Sequence, residues 1–151
     1  MKKIAFVSVL VVSALAFAED VKLTCPAGTK QVGGQKSAFE ASLCMKFSND
    51  GQRIFHGPYL SFWSNGQKQS VGQYEEGWRS GHWVYFDQNG IKTAEIDFVH
   101  GDYSGRRVQY YPNGQIKMDE TYDHGKQLTM KTFDQNGAAI SPQQLGVRAT
   151  K

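Results

Sequence analysis

The sequence predicts an all-β protein: an antiparallel meander of repeated β-hairpins that follows a disulfide-stapled N-terminal cap. An Asn-Gly pair recurs at positions 65–66, 89–90, 113–114 and 136–137, and Asp50-Gly51 is a degenerate copy. The nearly constant spacing of these pairs is a period of roughly 24 residues, a length that is typical of repeat proteins. Strand-like alternation between the pairs makes the repeated unit a hairpin.

Two kinds of turn alternate along the predicted meander. Asn and Gly tolerate two successive positive φ angles, so each Asn-Gly pair favours a tight type I′ turn. A second glycine column, Gly77, Gly101 and Gly125, marks a longer turn between the tight ones. Strands of five to seven residues connect the turns, and the simplest path through them is an up-and-down sheet.

One face of the sheet is predicted to hold the core. Aromatic residues recur in two columns of the repeat: Phe62, Phe86, Tyr110 and Phe133 stand four residues before each turn glycine, and Tyr74, Phe98 and Tyr122 stand eight after it. Leu60, Val84 and Val108 stand two residues before the first column. Because side chains alternate between faces with a period of two, we expect these residues to share one buried face.

The opposite face carries the candidate binding residues, which are Tyr59, Trp63, Trp83, Tyr85 and Tyr111. If the sheet is a single layer, these aromatic side chains are partly exposed, and an exposed aromatic strip marks a contact surface. The alternative is that the twist of the sheet, the cap or the tail covers them. The sequence leaves both readings open.

The N-terminus resembles a secretory signal peptide. Met1-Lys2-Lys3 precedes an apolar run from Ile4 to Phe17, and Ala16-Phe17-Ala18 forms a small-residue cleavage site. The run is shorter than the roughly 20 residues that a spanning helix needs. We therefore expect cleavage after Ala18, no transmembrane segment afterwards, and a protein exported to the periplasm or the extracellular space.

The remaining chain divides into a cap (residues 19–42), the repeats (43–140) and a flexible tail (141–151). Cys25 and Cys44 lie in the exported part, where an even count of cysteines favours a disulfide over two buried thiols. The bond would staple an irregular segment with little strand pattern. The whole chain has a net charge of +3, to which Lys2 and Lys3 contribute, and its basic residues form no stripe suited to a phosphate backbone. We expect no nucleic-acid partner.

The cadence Gly-x-Trp-x-x-Phe-x-x-Asn-Gly at Gly81–Gly90 resembles the bacterial variant of the MORN repeat. The Cys25-Pro26 lead-in, followed by Cys44 and His56-Gly57-Pro58-Tyr59, is similar to secreted members of that group. The resemblance covers residues 43–140. It implies an array of β-hairpins and association with a protein, a lipid or a surface; the antitoxin-like label of some members fits an exported chain poorly. Arg107 stands where the array expects Trp, and Lys131 occupies a core column.

No residue constellation indicates catalysis, a metal or a cofactor. His100 and His124 share a column but lie two strands, or about 9.5 Å, apart, which is too far for one ion. Glu95 and Asp97 share a face in only one unit, and the sequence has no Gly-x-Ser-x-Gly elbow or phosphate loop. We therefore expect a non-enzymatic module that associates with a protein or cell-envelope component through its aromatic face. The alternatives are a carbohydrate- or peptidoglycan-binding module and, less favoured, a glycan-acting enzyme.

Overall fold

The structure is a computed structural model that describes residues 21–34, 40–141 and 144. The described residues form one sheet in which each strand pairs antiparallel with the next, in the order β1 to β10. The strands are β1 (Lys30–Gly34), β2 (Ala41–Phe47), β3 (Arg53–Phe62), β4 (Lys68–Glu75), β5 (Trp78–Phe86), β6 (Lys92–Val99), β7 (Asp102–Tyr110), β8 (Ile116–Asp123), β9 (Lys126–Phe133) and β10 (Ala139–Ile140). The predicted all-β meander is confirmed.

Several predictions fall outside this part of the chain. The signal peptide, its cleavage site and nearly all of the tail are not among the described residues. Within the described residues, no helix is long and apolar enough to cross a membrane.

The Asn-Gly turns are not of the predicted type I′. In the turn between β3 and β4, the Gly66 amide donates to the Trp63 carbonyl at 2.8 Å, and only Gly66 has a positive φ, of 86°. Asn65 is therefore the third residue of a type I turn and Gly66 the fourth, and the register of the flanking strands shifts between the pairs Ser61–Ser70 and Phe62–Lys68. This is the longer hairpin connection, in which a left-handed glycine follows a type I turn.

The two-residue type I′ turns lie in the second glycine column. Glu76 and Gly77 have φ angles of 48° and 88°, and the strands close on the pair Glu75–Trp78. His100-Gly101 and His124-Gly125 repeat this arrangement, so the predicted roles of the two turns are reversed. Each turn glycine also donates to a strand of the preceding unit, as Gly77 does to the Phe55 carbonyl at 2.8 Å. That bond anchors a turn whose first residue is not glycine.

The N-terminal cap is more regular than predicted. The Cys25–Cys44 disulfide is formed, with a Cα–Cα distance of 5.5 Å, but the stapled segment includes β1, which pairs with β2 along its whole length. The staple also positions Pro26 over Gly57, where an added Cβ would lie 2.5 Å from the proline ring. The cap therefore extends the sheet, because Lys30–Gly34 can complete the backbone hydrogen bonds of β2.

The core face differs from the predicted one. Residues paired across neighbouring strands share a face, and Tyr74 lies opposite Gly57. Gly57 is two residues from Tyr59, so Tyr74 shares the face of Tyr59 rather than that of Leu60. The prediction that both aromatic columns line one face is therefore wrong.

The main core is a line of ring contacts that we call the aromatic ladder, with neighbouring centroids 5.2–6.2 Å apart. Its members are Phe55, Tyr59, Tyr74, Trp83, Tyr85, Phe98, Tyr103 and Tyr122. Leu60, Phe62 and Val108 of the predicted core are also buried, but Leu60 and Val108 lie on the other face of the sheet from the ladder.

Candidate binding groove

A groove of about 370 Å³ opens on the ladder side of strands β3 to β6, and we call it the aromatic groove. Its lining consists of Tyr59, Ser61, Trp63, Gln69, Ser70, Tyr74, Arg79, Trp83, Tyr85, Phe86 and Thr93. The structure thus brings together four of the five predicted binding residues. The fifth, Tyr111, is not in the groove.

Trp83 lines the groove but belongs to the core. Its side chain is 1% exposed, and its indole Nε1 donates to the Gln73 carbonyl at 3.2 Å. The ring lies directly on the backbone of Gly72, where an added Cβ would approach the indole to 2.2 Å. Trp83 is therefore a buried core residue and not an exposed platform for stacking. Of the two interpretations that the sequence left open, exposed or covered, the covered one applies to this residue.

Trp63 and Tyr111 connect successive units of the sheet. The Trp63 indole donates to the Phe86 carbonyl at 3.1 Å, and the Tyr111 hydroxyl donates to the Phe133 carbonyl at 2.9 Å. Both residues occupy the same repeat position and bond the next unit. Trp63 remains half-buried at the groove, whereas the role of Tyr111 in the described structure is this connection.

Tyr59 and Tyr85 present half-buried rings to the groove. Burial is the main factor that raises the pKa of both phenols, because the phenolate would lose solvation. Both hydroxyls therefore stay protonated at neutral pH and are able to donate hydrogen bonds. The two rings flank Trp83, at centroid distances of 5.4 Å for Tyr59 and 6.2 Å for Tyr85.

Arg79 is a groove residue that the sequence prediction missed. Its guanidinium carbon lies 5.2 Å from the centre of the Trp83 ring and 5.5 Å from that of Phe98. Cations are attracted to ring faces at this range. Arg79 stands four residues before Trp83 on the same strand, so period-two alternation places both on one face. That spacing was the available signal.

The polar lining of the groove is partly occupied by internal bonds. Ser61 and Ser70 share a hydrogen bond of 2.7 Å between their hydroxyls, and Thr93 donates to the Tyr85 carbonyl at 3.3 Å. Gln69 forms no side-chain hydrogen bond with the described part of the chain. Its amide is available to a ligand, whereas the Tyr59 phenol interacts with Ser61 and the Tyr74 phenol with Arg79.

The carboxylates considered in the sequence lie away from the groove. Glu95 pairs with Lys92, and Asp97 receives a 2.8 Å contact from His82 Nδ1. Glu95 lies opposite Val84, which places it on the face that does not carry the ladder. His100 and His124 are turn residues, as expected, and the described residues contain no cluster of three potential metal ligands.

One repeat later, an ion pair occupies the position that corresponds to Trp83 and its partner. Trp83 lies opposite Ile96 across β5 and β6, and the same cross-strand pair one repeat later is Arg107–Glu120. Glu120 is 3% exposed and accepts bonds from Arg107 at 2.5 Å, from the Tyr122 hydroxyl at 2.9 Å and from the Gln127 amide at 2.7 Å. An ion pair thus replaces a Trp–Ile contact.

Two segments of the chain match a known repeat family. Residues 55–76 and 103–124 match the model described as the MORN repeat variant, and these segments contain most of the β3–β4 and β7–β8 hairpins. The second match begins two repeat periods after the first. A search among curated proteins found no match. The predicted similarity to MORN repeats is therefore supported over these two hairpins.

Proposed function

We propose that the protein is an exported, non-enzymatic binding module that associates with a protein or cell-envelope component through the aromatic groove. The observation that carries the proposal is the convergence of Tyr59, Trp63 and Tyr85 with Arg79 in one groove. Aromatic rings and arginine are the side chains that dominate binding energy at contact surfaces. The two MORN-like hairpins support an association role over catalysis.

The proposal of export rests on two features. The segment from Met1 to Ala18 reads as a signal peptide, and the Cys25–Cys44 disulfide is of the kind that persists in oxidising compartments. N-terminal sequencing of the protein recovered from its own cells tests export. We expect the mature chain to begin at Glu19 in the periplasmic or extracellular fraction; a cytoplasmic chain that retains Met1 would contradict it.

A specific observation favours a glycan as the envelope component. The groove combines ring surfaces with the half-buried amide of Gln69 and the guanidinium of Arg79. Binding pockets of this type hold small ligands by apolar contact and fix them with a few polar groups. This second candidate differs from a glycan-acting enzyme, which needs two carboxylates about 5–9.5 Å apart across the ligand. The groove lining contains no carboxylate among the described residues.

Cosedimentation with isolated cell envelopes tests the binding role. The variant Tyr59→Ser/Tyr85→Ser removes two rings that the groove shares with the ladder. With its fold verified by circular dichroism, we expect it to stay in the supernatant as a non-binding protein does. Trp78→Ser is the matched control, because Trp78 is 58% exposed and lies outside the groove. Equal loss with the control variant, or full retention of the double variant, would contradict a role for the groove.

A further inference from the structure

We infer that the ligand of the aromatic groove is a saccharide that carries a carboxylate, and that Arg79 binds this carboxylate. This inference rests on the proposed binding function and specifies its ligand class. It depends on three features: the charge of Arg79, the position of the groove within the sheet, and the composition of its lining.

The surroundings of Arg79 differ from those of Arg106 and Arg107, which lie one repeat later. Arg106 forms two bonds to Asp119, at 2.9 and 3.0 Å, and Arg107 binds Glu120. Arg79 is exposed and has no acidic partner within salt-bridge distance in the described part of the chain. Its guanidinium lies over the rings of Trp83 and Phe98 and interacts with the Tyr74 phenol, and these contacts position it. A positioned, uncompensated cation in a groove is complementary to an anion.

The charge of the site favours a carboxylate over a phosphate monoester. The aromatic groove contains one cationic side chain among its described residues. A guanidinium binds a carboxylate through two parallel hydrogen bonds and compensates its single charge. A phosphate monoester carries a charge of about −1.5 to −2 at neutral pH and would leave part of it uncompensated.

The position of the groove favours a saccharide over a peptide that binds by adding a strand to the sheet. Strands β3 to β6 each pair with a neighbour on both sides, so the groove floor has no free sheet edge within the described sheet. Extended peptides bind sheets by adding a strand to an edge, where main-chain groups are available. At the centre of the sheet, a peptide would leave its own amides without main-chain partners. A saccharide has no such requirement, because its hydroxyl groups bond to side chains and its ring faces pack on Tyr59 and Tyr85.

The next repeat of the described sheet does not carry the residue set of the groove. One repeat later, the position of Arg79 is occupied by Tyr103 and that of Trp83 by Arg107, whose charge Glu120 compensates. The volume of about 370 Å³ lies at the lower end of the range for small-ligand pockets, roughly 300–1,000 Å³. We therefore expect one short saccharide segment per chain.

The test is an array of short glycans in matched pairs, in which each uronic or muramic acid is presented both as the free acid and as its methyl ester. We expect the mature protein to bind free acids, and esterification to weaken binding at least tenfold. This comparison needs no variant, so it holds even if a groove variant folds poorly. Equal binding of acid and ester, a preference for phosphorylated sugars or acidic peptides, or no retained glycan would overturn the inference.

Two variants assign the effect to Arg79. Arg79→Gln should lose the preference for the free acid, and Arg79→Lys should keep part of it. Arg106→Gln is the matched control, since Arg106 binds Asp119 away from the groove and should leave the preference unchanged. If Tyr59→Ser/Tyr85→Ser abolishes envelope binding while Arg79→Gln retains the full acid preference, the proposed function stands and the role of Arg79 is wrong.

Discussion

At the scale of single residues, Gly72 determines where Trp83 can pack. A Cβ at Gly72 would lie 2.2–2.6 Å from three indole carbons, whereas its repeat partners are Ile96 and Glu120. We expect Gly72→Ala to lower the free energy of unfolding by about 1–3 kcal/mol, as overpacking of a dense core does. Urea unfolding, followed by tryptophan fluorescence, measures the change.

The control for this prediction is the same alanine in a Trp83→Leu background. Leucine at position 83 removes the indole that the new methyl group would meet. We therefore expect Gly72→Ala to cost much less there than in the parent chain. An equal cost in both backgrounds would show that the effect arises from the backbone of β4 rather than from contact with the ring.

The Arg107–Glu120 pair allows a second residue-level prediction. Glu120→Leu leaves the half-buried Arg107 guanidinium without its carboxylate, and we expect a loss of about 3–5 kcal/mol. Arg107→Leu/Glu120→Leu should recover most of that loss, because two apolar residues of similar size can replace a buried pair. A thermal or urea double-mutant cycle measures the coupling. Additive single costs would contradict a direct interaction.

The candidate site was predicted in part from the sequence because aromatic residues and their strand positions are visible in it. Tyr59, Trp63, Trp83 and Tyr85 do line one groove. Burial of Trp83 was not predictable, since it depends on Gly72 of the neighbouring strand. The spacing of Arg79 to Trp83 gave its face, but that no described carboxylate lies within salt-bridge distance of Arg79 follows only from the folded positions of the acidic side chains.

At the scale of the hairpin, the four Asn-Gly turns are closed by side-chain hydrogen bonds in two alternating ways. Asn65 accepts from the Gln67 amide and donates to the Gln88 carbonyl of the next unit. In the following turn, Asp87 instead accepts from the amides of Asn89 and Ile91. Asn113 and Asp134 repeat this alternation.

This alternation explains the variable column that the sequence assigned to binding. Trp63 and Tyr111 occur in turns of the first kind and bond the next unit, whereas Asp87 and Asp134 close their own turns. The residues of this column therefore differ in chemistry because they close their turns in different ways. The two family matches begin two periods apart, in step with the hairpins of the first kind, which recur at every second unit.

The positive φ of the turn glycines supports a prediction at this scale. Gly90 has φ of 79°, a conformation that a β-branched residue adopts only with strain, so Gly90→Val should cost about 1–3 kcal/mol. Gln88→Val is the control: residue 88 is exposed, and its carbonyl still accepts from Asn65. Differential scanning calorimetry compares the two variants. Equal melting temperatures would contradict the assigned turn geometry.

The turn types themselves were predicted in reverse. Asn-Gly is the strongest short signal for a type I′ turn, but here Asn65 uses its side chain to bond two backbone groups while keeping a negative φ. The type I′ geometry falls instead on Glu76, His100 and His124, whose glycines bond the preceding unit. A contact between units overrides the local preference, and a single hairpin sequence does not contain that information.

At the scale of the whole molecule, the repeat period was sufficient to predict the meander. A constant spacing requires each unit to pair with its neighbours in the same way, and that condition leaves few topologies. The same reasoning predicts that stability is a sum of local contacts. The two ends of the array then differ, because β2 is stapled to the chain before it and β9 is covered only at its last residues.

The C-terminal end should therefore open first, and hydrogen exchange measured by mass spectrometry tests this. Strand β9 pairs with β10 through only Phe133 and Thr132, and its side chains from Lys126 to Lys131 are exposed. The unit before it has Arg107 and Glu120 in place of Trp83 and Ile96, so it buries less apolar surface. Among the strands with a neighbour on both sides, we expect amides of β9 to exchange fastest and those of β4 to β6, beside the Trp83 contacts, to exchange slowest. Arg107→Leu/Glu120→Leu serves as the matched variant, since it removes the bond from Gln127 of β9 to Glu120 and should speed exchange in β9 without changing β4. Uniform protection along all strands would instead mean that the array unfolds as one cooperative unit, because a repeat array with local stability must lose its least buried strand before the others.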